Sequence, residues 1–144
     1  MKILIVCTGN TCRSQMAEGY LRYLDPSLQV LSAGTRPGAT VNPMAVRVMK
    51  EIGIDISSHH PKLIDRFLSN SFDYSITVCD EARKNCPYFT GEVRHRIHIG
   101  FEDPTKKRGT EDEQIGEYRK VRDQIVRDLG RFYEQNLKPA EKIS

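Results

Sequence analysis

The feature that most constrains this chain is an apolar run at its start that ends abruptly in a short polar loop. The run MKILIV has the pattern of a buried β-strand, and CTGNTCRS follows it directly. From Arg13 to Leu24 the apolar residues recur at helical spacing, which predicts an α-helix. The sequence therefore predicts a strand, a loop and a helix in immediate succession, with two cysteines, an asparagine and an arginine in the loop.

Strand and helix patterns alternate along the rest of the chain. Three more strands are predicted in SLQVLSAG, FDYSITVC and VRHRIHIG, and three more helices over about 42–53, 63–68 and 112–134. Such alternation predicts an α/β fold in which helices cover both faces of a parallel sheet. In these sheets ligand sites lie at the carboxyl ends of the strands. Because CTGNTCRS lies at such an end, we expect the functional site there.

Length and composition limit the classes of protein to which this chain can belong. With 144 residues, 38% of them hydrophobic, and no repeat or linker, residues 1–144 are expected to form a single domain. No apolar stretch approaches the roughly 20 residues that span a bilayer, and MKILIV is too short for a secretory signal. A cytoplasmic protein without a membrane partner is therefore expected. The formal net charge of +3 is small and scattered, which argues against a nucleic-acid partner but suits an anionic substrate.

The loop contains the residue types of an oxyanion-binding cradle with a nucleophile at its edge. A loop that wraps from a strand into a helix turns successive backbone N–H groups inward, and the helix N-terminus adds a positive partial charge. Gly9 and Asn10 tolerate the left-handed backbone that such a wrap requires, and Arg13 offers a planar fork for two oxyanion oxygens. Cys7 lies in the same positive field, which favours its thiolate, and Ser14 is placed to donate a hydrogen bond to that sulfur. Cys7 is therefore the predicted nucleophile, and the predicted oxyanion-binding residues are Thr8, Gly9, Asn10, Thr11, Cys12, Arg13 and Ser14.

Other roles for the cysteines and histidines stay open at this point. A buried cysteine beside a surface arginine would give the same pattern at the loop, and Cys79, at the end of a predicted strand, would also serve as a core residue. No structural metal is expected, because the four cysteines include no Cys-x2-Cys pair. The histidines match no motif, and solvated positions explain them best: His59, His60, His95 and His98.

A wider set of motifs gives the chain a family resemblance. With CTGNTCRSQMAEG, SAG at 32–34, NP at 42–43, GIDIS at 53–57 and DP at 103–104, it resembles the low-molecular-weight protein tyrosine phosphatases, and more narrowly their thioredoxin-coupled arsenate reductase branch. The resemblance implies a three-layer sandwich around a four-stranded parallel sheet of order 2-1-3-4, and no cofactor. It also implies that Cys7 is the nucleophile, that Arg13 binds the oxyanion and that Asp103 is the general acid. The residues alone favour a turn-forming role for Asp103.

The cysteines separate a reductase from a phosphatase. Reduction of arsenate to arsenite takes two electrons, and a protein without a redox cofactor must take them from thiols. The resemblance implies a relay through one cysteine at the end of the third strand and another shortly after it, and Cys79 and Cys86 fill these positions. It also implies thioredoxin as the reductant. Asp103-Pro104 is followed by Thr105, and the chain has no Trp, so the aromatic walls of a phosphotyrosine slot are not evident.

Alternatives remain for the function and for one cation position. A phosphatase acting on phosphotyrosine or small phosphomonoesters would use the same loop, and a non-catalytic oxyanion-binding or thiol-sensor protein would use it without turnover. Lys62 stands where the reductase branch often has an acidic residue that helps Asn10 and Glu18 to hold a potassium ion. Potassium dependence is therefore not expected; either the lysine ammonium occupies the cation position or the site is absent. Cys12 has no implied relay role, and a monomer is expected.

Overall fold

The fold, seen in a computed structural model that describes residues 1–79 and 89–139, is built on a parallel four-stranded sheet. The strands lie in the order β2-β1-β3-β4, as predicted. Their bounds are β1 Lys2–Cys7, β2 Gln29–Gly34, β3 Ser71–Cys79 and β4 Glu92–Phe101. All three neighbouring pairs are parallel, so the carboxyl ends of the strands meet at one edge of the sheet.

The register brings two cysteines to that edge on neighbouring strands. Cys7 ends β1 opposite Gly34 of β2, and Val6 pairs with Thr77 of β3. The pairing of β3 with β4 is irregular between Thr77 and Cys79, after which Cys79 lies opposite Phe101. The last residues of β1 and β3 therefore lie at the edge where the polar loop begins.

Three α-helices lie on one side of the sheet, where the first and the last pack against the strands and the second packs against these two helices. They are α1 Arg13–Leu24, α2 Pro43–Lys50 and α3 Glu111–Phe132, and their apolar residues share one hydrophobic cluster with Ile3, Ile5 and Cys7 of β1. The alternate residues Leu4 and Val6 face the opposite side, where they pack in a cluster with Ile64, Phe67, Phe72 and Phe89. The odd-numbered positions of β1 thus place the Cys7 side chain on the helix-covered face.

Three of the four predicted helices are present with differences at their ends, whereas the one predicted over 63–68 is not an α-helix. α1 has the predicted bounds, and α2 begins at Pro43 after Asn42, whose side chain accepts the Met44 N–H at 2.9 Å. Residues 51–53 form turns rather than helix, and Gly53 adopts a φ of +82° there. The segment predicted as a helix over 63–68 is a single 3-10 turn, Ile64–Phe67, and a second such turn spans Pro104–Lys106.

The longest helix is capped where its sequence indicates. Thr110 precedes α3 and accepts the Glu113 N–H at 3.2 Å, and three acidic residues occupy the first turn. α3 continues into a π-helical turn, Tyr133–Leu137. Within residues 1–79 and 89–139, no helix is both long enough and apolar enough to cross a membrane.

Candidate active site

The loop after β1 lines a small cavity at the carboxyl edge of the sheet. The cavity has a volume of about 210 Å³. It contains Cys7, the six loop residues that follow it and two residues from the segment after β4; the lining set is Cys7, Thr8, Gly9, Asn10, Thr11, Cys12, Arg13, Asp103 and Thr105. The structure thus brings the predicted nucleophile, the predicted oxyanion-binding residues and the predicted acid together. Ser14 lies at the start of α1, buried behind the loop.

Asn10 fixes the course of the loop from inside the protein. Its φ is +53°, in the left-handed region, and it is only 1% exposed. Its side-chain amide donates to Ser14 Oγ at 2.8 Å and to Ser32 Oγ at 2.9 Å, while its Oδ1 accepts the Lys62 N–H at 2.9 Å. Gly9 does not share the left-handed conformation. Among the described loop residues, Asn10 alone therefore has a positive φ.

A second loop, residues 34–42, runs along the outside of the first. Three of its N–H groups donate to loop carbonyls: Arg36 to Thr8 at 2.9 Å, Gly38 to Gly9 at 3.0 Å and Asn42 to Thr11 at 2.8 Å. The approach is close because Gly34 has no side chain: a Cβ there would overlap the Thr8 carbonyl oxygen. Sequence reasoning missed this support, although the glycines of SAGTRPG were a signal for it.

Arg13 and Asp103 face each other across the cavity. Arg13 donates from one guanidinium nitrogen to the Phe101 carbonyl at 2.9 Å, and its NH2 lies 3.8 Å from Asp103 Oδ2. The other carboxylate oxygen, Oδ1, accepts hydrogen bonds from the Thr105 N–H at 3.0 Å and the Thr105 hydroxyl at 2.6 Å. Asp103 therefore caps a turn, as its sequence context indicates, and also faces the site, as the resemblance implies.

The cysteines fall into two chemical states. Cys7 and Cys12 are free thiols, whereas Cys79 is disulfide-bonded, so neither of them is its partner. Cys7 and Cys79 are each 5% exposed and belong to the same hydrophobic cluster. Cys86, the third predicted relay cysteine, lies outside the described residues. The structure therefore places the predicted nucleophile and the first predicted relay cysteine on neighbouring strand ends.

Cys12 is a core residue within the loop. Its sulfur lies 3.9 Å from Met16 Sδ and its side chain is buried. Burial raises the pKa of the Cys12 thiol to about 12, against a smaller opposite effect of the Arg13 guanidinium. Cys12 therefore stays protonated at neutral pH and is not a nucleophile there.

A buried polar network supports the loop from below, and it includes a histidine that was predicted to be solvated. Gln15 is fully buried and donates from Nε2 to the Asn10 carbonyl at 3.0 Å. His59 Nδ1 lies 3.2 Å from Gln15 Oε1 and 3.2 Å from Glu18 Oε2, with its side chain 13% exposed. The solvated position predicted for His59 is therefore wrong. His60, His95 and His98 are exposed, as predicted.

The surroundings of Glu18 decide whether a potassium ion fits. Glu18 is 3% exposed, and its Oε1 has no hydrogen-bond partner among the described residues. Its Oε2, however, lies 3.2 Å from the His59 ring and 3.7 Å from Arg22 NH2, and Lys62 lines the same cavity with its ammonium on the His60 carbonyl at 2.9 Å. Asn10 Oδ1 already accepts a hydrogen bond. Two cationic side chains, Arg22 and Lys62, thus lie at this cavity beside the one carboxylate among its described lining residues, and this set does not fit a potassium ion.

The fold and the cavity together define a class of protein in which a parallel α/β sheet places a strand-end cysteine and the arginine of the following loop in one small cavity. The chain belongs to the low molecular weight phosphotyrosine protein phosphatase family, whose sequence profile matches residues 2–142. An arsenate reductase of Bacillus subtilis (strain 168) is 44% identical over 133 residues, which is 92% of this chain and 94% of that protein.

Two further comparisons also show similarity to arsenate reductases. An arsenate reductase of Halalkalibacterium halodurans is 45% identical over 133 residues, again 92% of this chain and 94% of that protein. A solved structure described as an arsenate reductase in the phosphate binding state superposes with a TM-score of 0.77 at 29% identity, and the match covers 93% of this chain and 97% of that one.

Proposed function

We propose that this chain reduces arsenate to arsenite with Cys7 as nucleophile, Cys79 and Cys86 as a disulfide relay, and thioredoxin as the reductant. The observation that carries the proposal is the position of two cysteines on neighbouring strand ends, one of them a free thiol in the oxyanion cavity. A phosphatase needs only the thiol in the cavity. The reductase relatives, at 44% and 45% identity, support the reductase among the family's activities.

The first step is a displacement at arsenic. The Cys7 thiolate attacks HOAsO₃²⁻, which is held by Arg13 and the loop amides, and a sulfur–arsenic bond forms as one arsenic–oxygen bond breaks. The departing hydroxide takes a proton from the Asp103 carboxylic acid and leaves as water. The products are Cys7–S–AsO₃²⁻, water and the Asp103 carboxylate, so charge and atoms balance.

The second step carries the electrons. The Cys79 thiolate attacks the Cys7 sulfur, and the electron pair of the sulfur–arsenic bond stays with arsenic, which leaves as arsenite and takes up protons from water. The Cys86 thiolate then attacks Cys79, which releases Cys7 as a thiolate. A dithiol of thioredoxin reduces the resulting Cys79–Cys86 disulfide. The disulfide-bonded state of Cys79 beside a free Cys7 supports this order.

The relay also indicates the setting in which the protein works. The Cys79–Cys86 disulfide must be reduced after each turnover, which needs a reducing compartment, so we propose that the protein acts in the cytoplasm. We propose a monomer, because the nucleophile, the arginine and the acid proposed for the reaction already meet in one cavity of a single chain.

A phosphatase activity is the second candidate, and the shared cavity favours it. The same attack of Cys7 on a phosphomonoester would give a phosphocysteine, which water then hydrolyses. The described lining residues include no aromatic side chain to flank a phenyl ring. We therefore expect hydrolysis of aryl phosphates to be a slow side activity.

One pair of assays tests the proposal. Arsenite production is measured with thioredoxin, thioredoxin reductase and NADPH, beside hydrolysis of an aryl phosphate. Cys79→Ser should release no arsenite yet keep aryl phosphate hydrolysis, whereas the matched variant Cys86→Ser should release about one arsenite per chain and then stop. Steady arsenite production by Cys79→Ser, or an equal loss of both activities in it, would contradict the relay.

A further inference from the structure

Thr105 holds one oxygen of the candidate acid and leaves the other free to face the site. Asp103 Oδ1 accepts two hydrogen bonds from this single residue, from the backbone N–H at 3.0 Å and from the hydroxyl at 2.6 Å. Oδ2 lies on the other side of the carboxyl group, 3.8 Å from Arg13 NH2. Both Asp103 and Thr105 line the cavity that contains Cys7.

This arrangement decides which oxygen of Asp103 carries a proton. A protonated carboxyl group has one O–H donor, and an oxygen that already accepts two hydrogen bonds is the poorer place for it. The proton of the acid form therefore resides on Oδ2, the oxygen on the Arg13 side, where the oxyanion is to be bound. Without the Thr105 hydroxyl, only the Thr105 backbone N–H would hold Oδ1, and the preference of the proton for Oδ2 would weaken.

We propose that Thr105 is a positioning residue that directs the proton of Asp103 to the leaving oxygen of the substrate. The proposal rests on the function proposed above, in which Asp103 is the acid. In the step concerned, the Asp103 Oδ2–H bond breaks and a new O–H bond forms on the oxygen that departs from arsenic or phosphorus. Asp103 remains as a carboxylate and regains its proton from water.

A purely structural role for Thr105 makes a different prediction. Asp103 and Thr105 begin the 3-10 turn Pro104–Lys106, and the same two hydrogen bonds would cap it. Loss of a cap lowers the stability of the turn and affects every substrate to the same extent. Loss of proton positioning affects a substrate in proportion to its need for protonation of the leaving group.

The test compares Thr105→Val, which removes the hydroxyl at nearly constant shape, with Thr105→Ser, which keeps it. kcat/KM is measured for phenyl phosphate, whose leaving group needs protonation, and for 4-nitrophenyl phosphate, whose leaving group needs it much less. Thr105→Val should lose about 10-fold with phenyl phosphate and in arsenate reduction, and less than about 2-fold with 4-nitrophenyl phosphate. Thr105→Ser should restore most of the loss, and the inhibition constant of inorganic phosphate should not change.

A double-mutant cycle with Asp103→Asn decides whether Thr105 acts through Asp103. In that background Thr105→Val should have little further effect, because there is no acid proton to direct. The same loss in both backgrounds, or an equal loss with the two aryl phosphates, would overturn the positioning role.

If the wild-type protein makes no arsenite but the variants show this pattern with the aryl phosphates, the proposed reductase function would be overturned and the positioning role of Thr105 would stand. If neither aryl phosphate is hydrolysed, the cycle is run on single-turnover arsenate reduction, and inactivity towards all three substrates would overturn both proposals.

Discussion

On one side of the cavity the oxyanion loop, residues 8–14, is anchored in the core, whereas on the other side residues 103–106 form one short turn at the surface. In and beside the loop, Asn10, Ser14 and Gln15 are at most 1% exposed and are joined by buried hydrogen bonds. In the turn, the Asp103 side chain is 20% exposed, and Thr105 and Lys106 are exposed.

This difference in burial separates oxyanion binding, which we assign to the loop, from proton delivery, which we assign to the turn. Oxyanion binding depends on a backbone shape, and a shape held by buried hydrogen bonds cannot be altered without a cost in stability. The proposed proton delivery depends on one partly exposed carboxyl group and the residue that orients it. We therefore expect substitutions in the loop to affect every substrate together with folding, and substitutions in the turn to change reactivity alone.

The largest expected effect is the contrast between Cys7→Ser and Asp103→Asn. Loss of the nucleophile should abolish both arsenate reduction and aryl phosphate hydrolysis, a loss of at least about 10⁴-fold. Loss of the acid should slow arsenate reduction and phenyl phosphate hydrolysis by about 10²-fold, because general acid catalysis contributes about 10²–10⁴-fold. Steady-state assays of the two purified variants measure this, and circular dichroism checks that each is folded. Appreciable arsenate reduction by Cys7→Ser would refute the assignment of the nucleophile.

The conformation of the loop could be predicted from the sequence because it depends on residues that are close together in the chain. A buried strand, an asparagine with left-handed tolerance and a helical stripe are close together in the chain, so Asn10 and Arg13 were identified from their neighbours alone. The order of the sheet and the acid at Asp103 came from the family resemblance, since pairing between distant strands leaves no local signal. Thr105, Ser32 and Gln15 were missed because their roles depend on contacts made only after the chain folds.

His59 shows why such contacts escape prediction. Its sequence neighbours, Ser58 and His60, are polar and exposed, and nothing nearby indicates a buried partner. Its partners, Gln15 and Glu18, are more than 40 residues away and reach it from α1. A solvated position was therefore the natural expectation, and only the packing of residues 57–62 against α1 overturns it.

The second prediction sharpens the view that the loop is part of the core. Because the pKa of Cys12 is raised to about 12, only about one thiol in 10⁴ is ionised at pH 8, far fewer than for an ordinary cysteine. In Cys7→Ser, iodoacetamide at pH 8 should alkylate Cys12 at least about 100-fold more slowly in the native protein than in guanidinium chloride. Peptide mapping by mass spectrometry follows the modification. Equal rates in the two conditions would mean that the loop opens readily to solvent.

The third prediction tests the support that the loop receives from residues 34–42. Gly34→Ala places a methyl group against the Thr8 carbonyl, and overpacking of this kind should lower the free energy of unfolding by about 1–3 kcal/mol and weaken phosphate inhibition. Gly116→Ala is the matched control: it lies exposed in α3 with open space around it, and it should raise stability by about 0.5–1 kcal/mol. Urea unfolding measures both. A neutral Gly34→Ala would show that the loop yields more easily than its contacts indicate.

The smallest effect concerns pH and the network below the loop. Burial lowers the pKa of His59 below its ordinary value, and this outweighs the opposite effect of the Glu18 carboxylate. The unfolded chain therefore binds a proton at His59 more readily than the folded one, so this residue should make the protein less stable as pH falls through about 6.5. His59→Gln keeps a polar side chain that does not titrate, and the loss of stability between pH 7.5 and 5.5 should be smaller in it than in the wild-type protein. Urea midpoints at the two pH values measure the difference. The opposite result, a wild-type protein that loses less stability than His59→Gln on acidification, would mean that the ion pair with Glu18 outweighs burial and that acid strengthens the support of the loop.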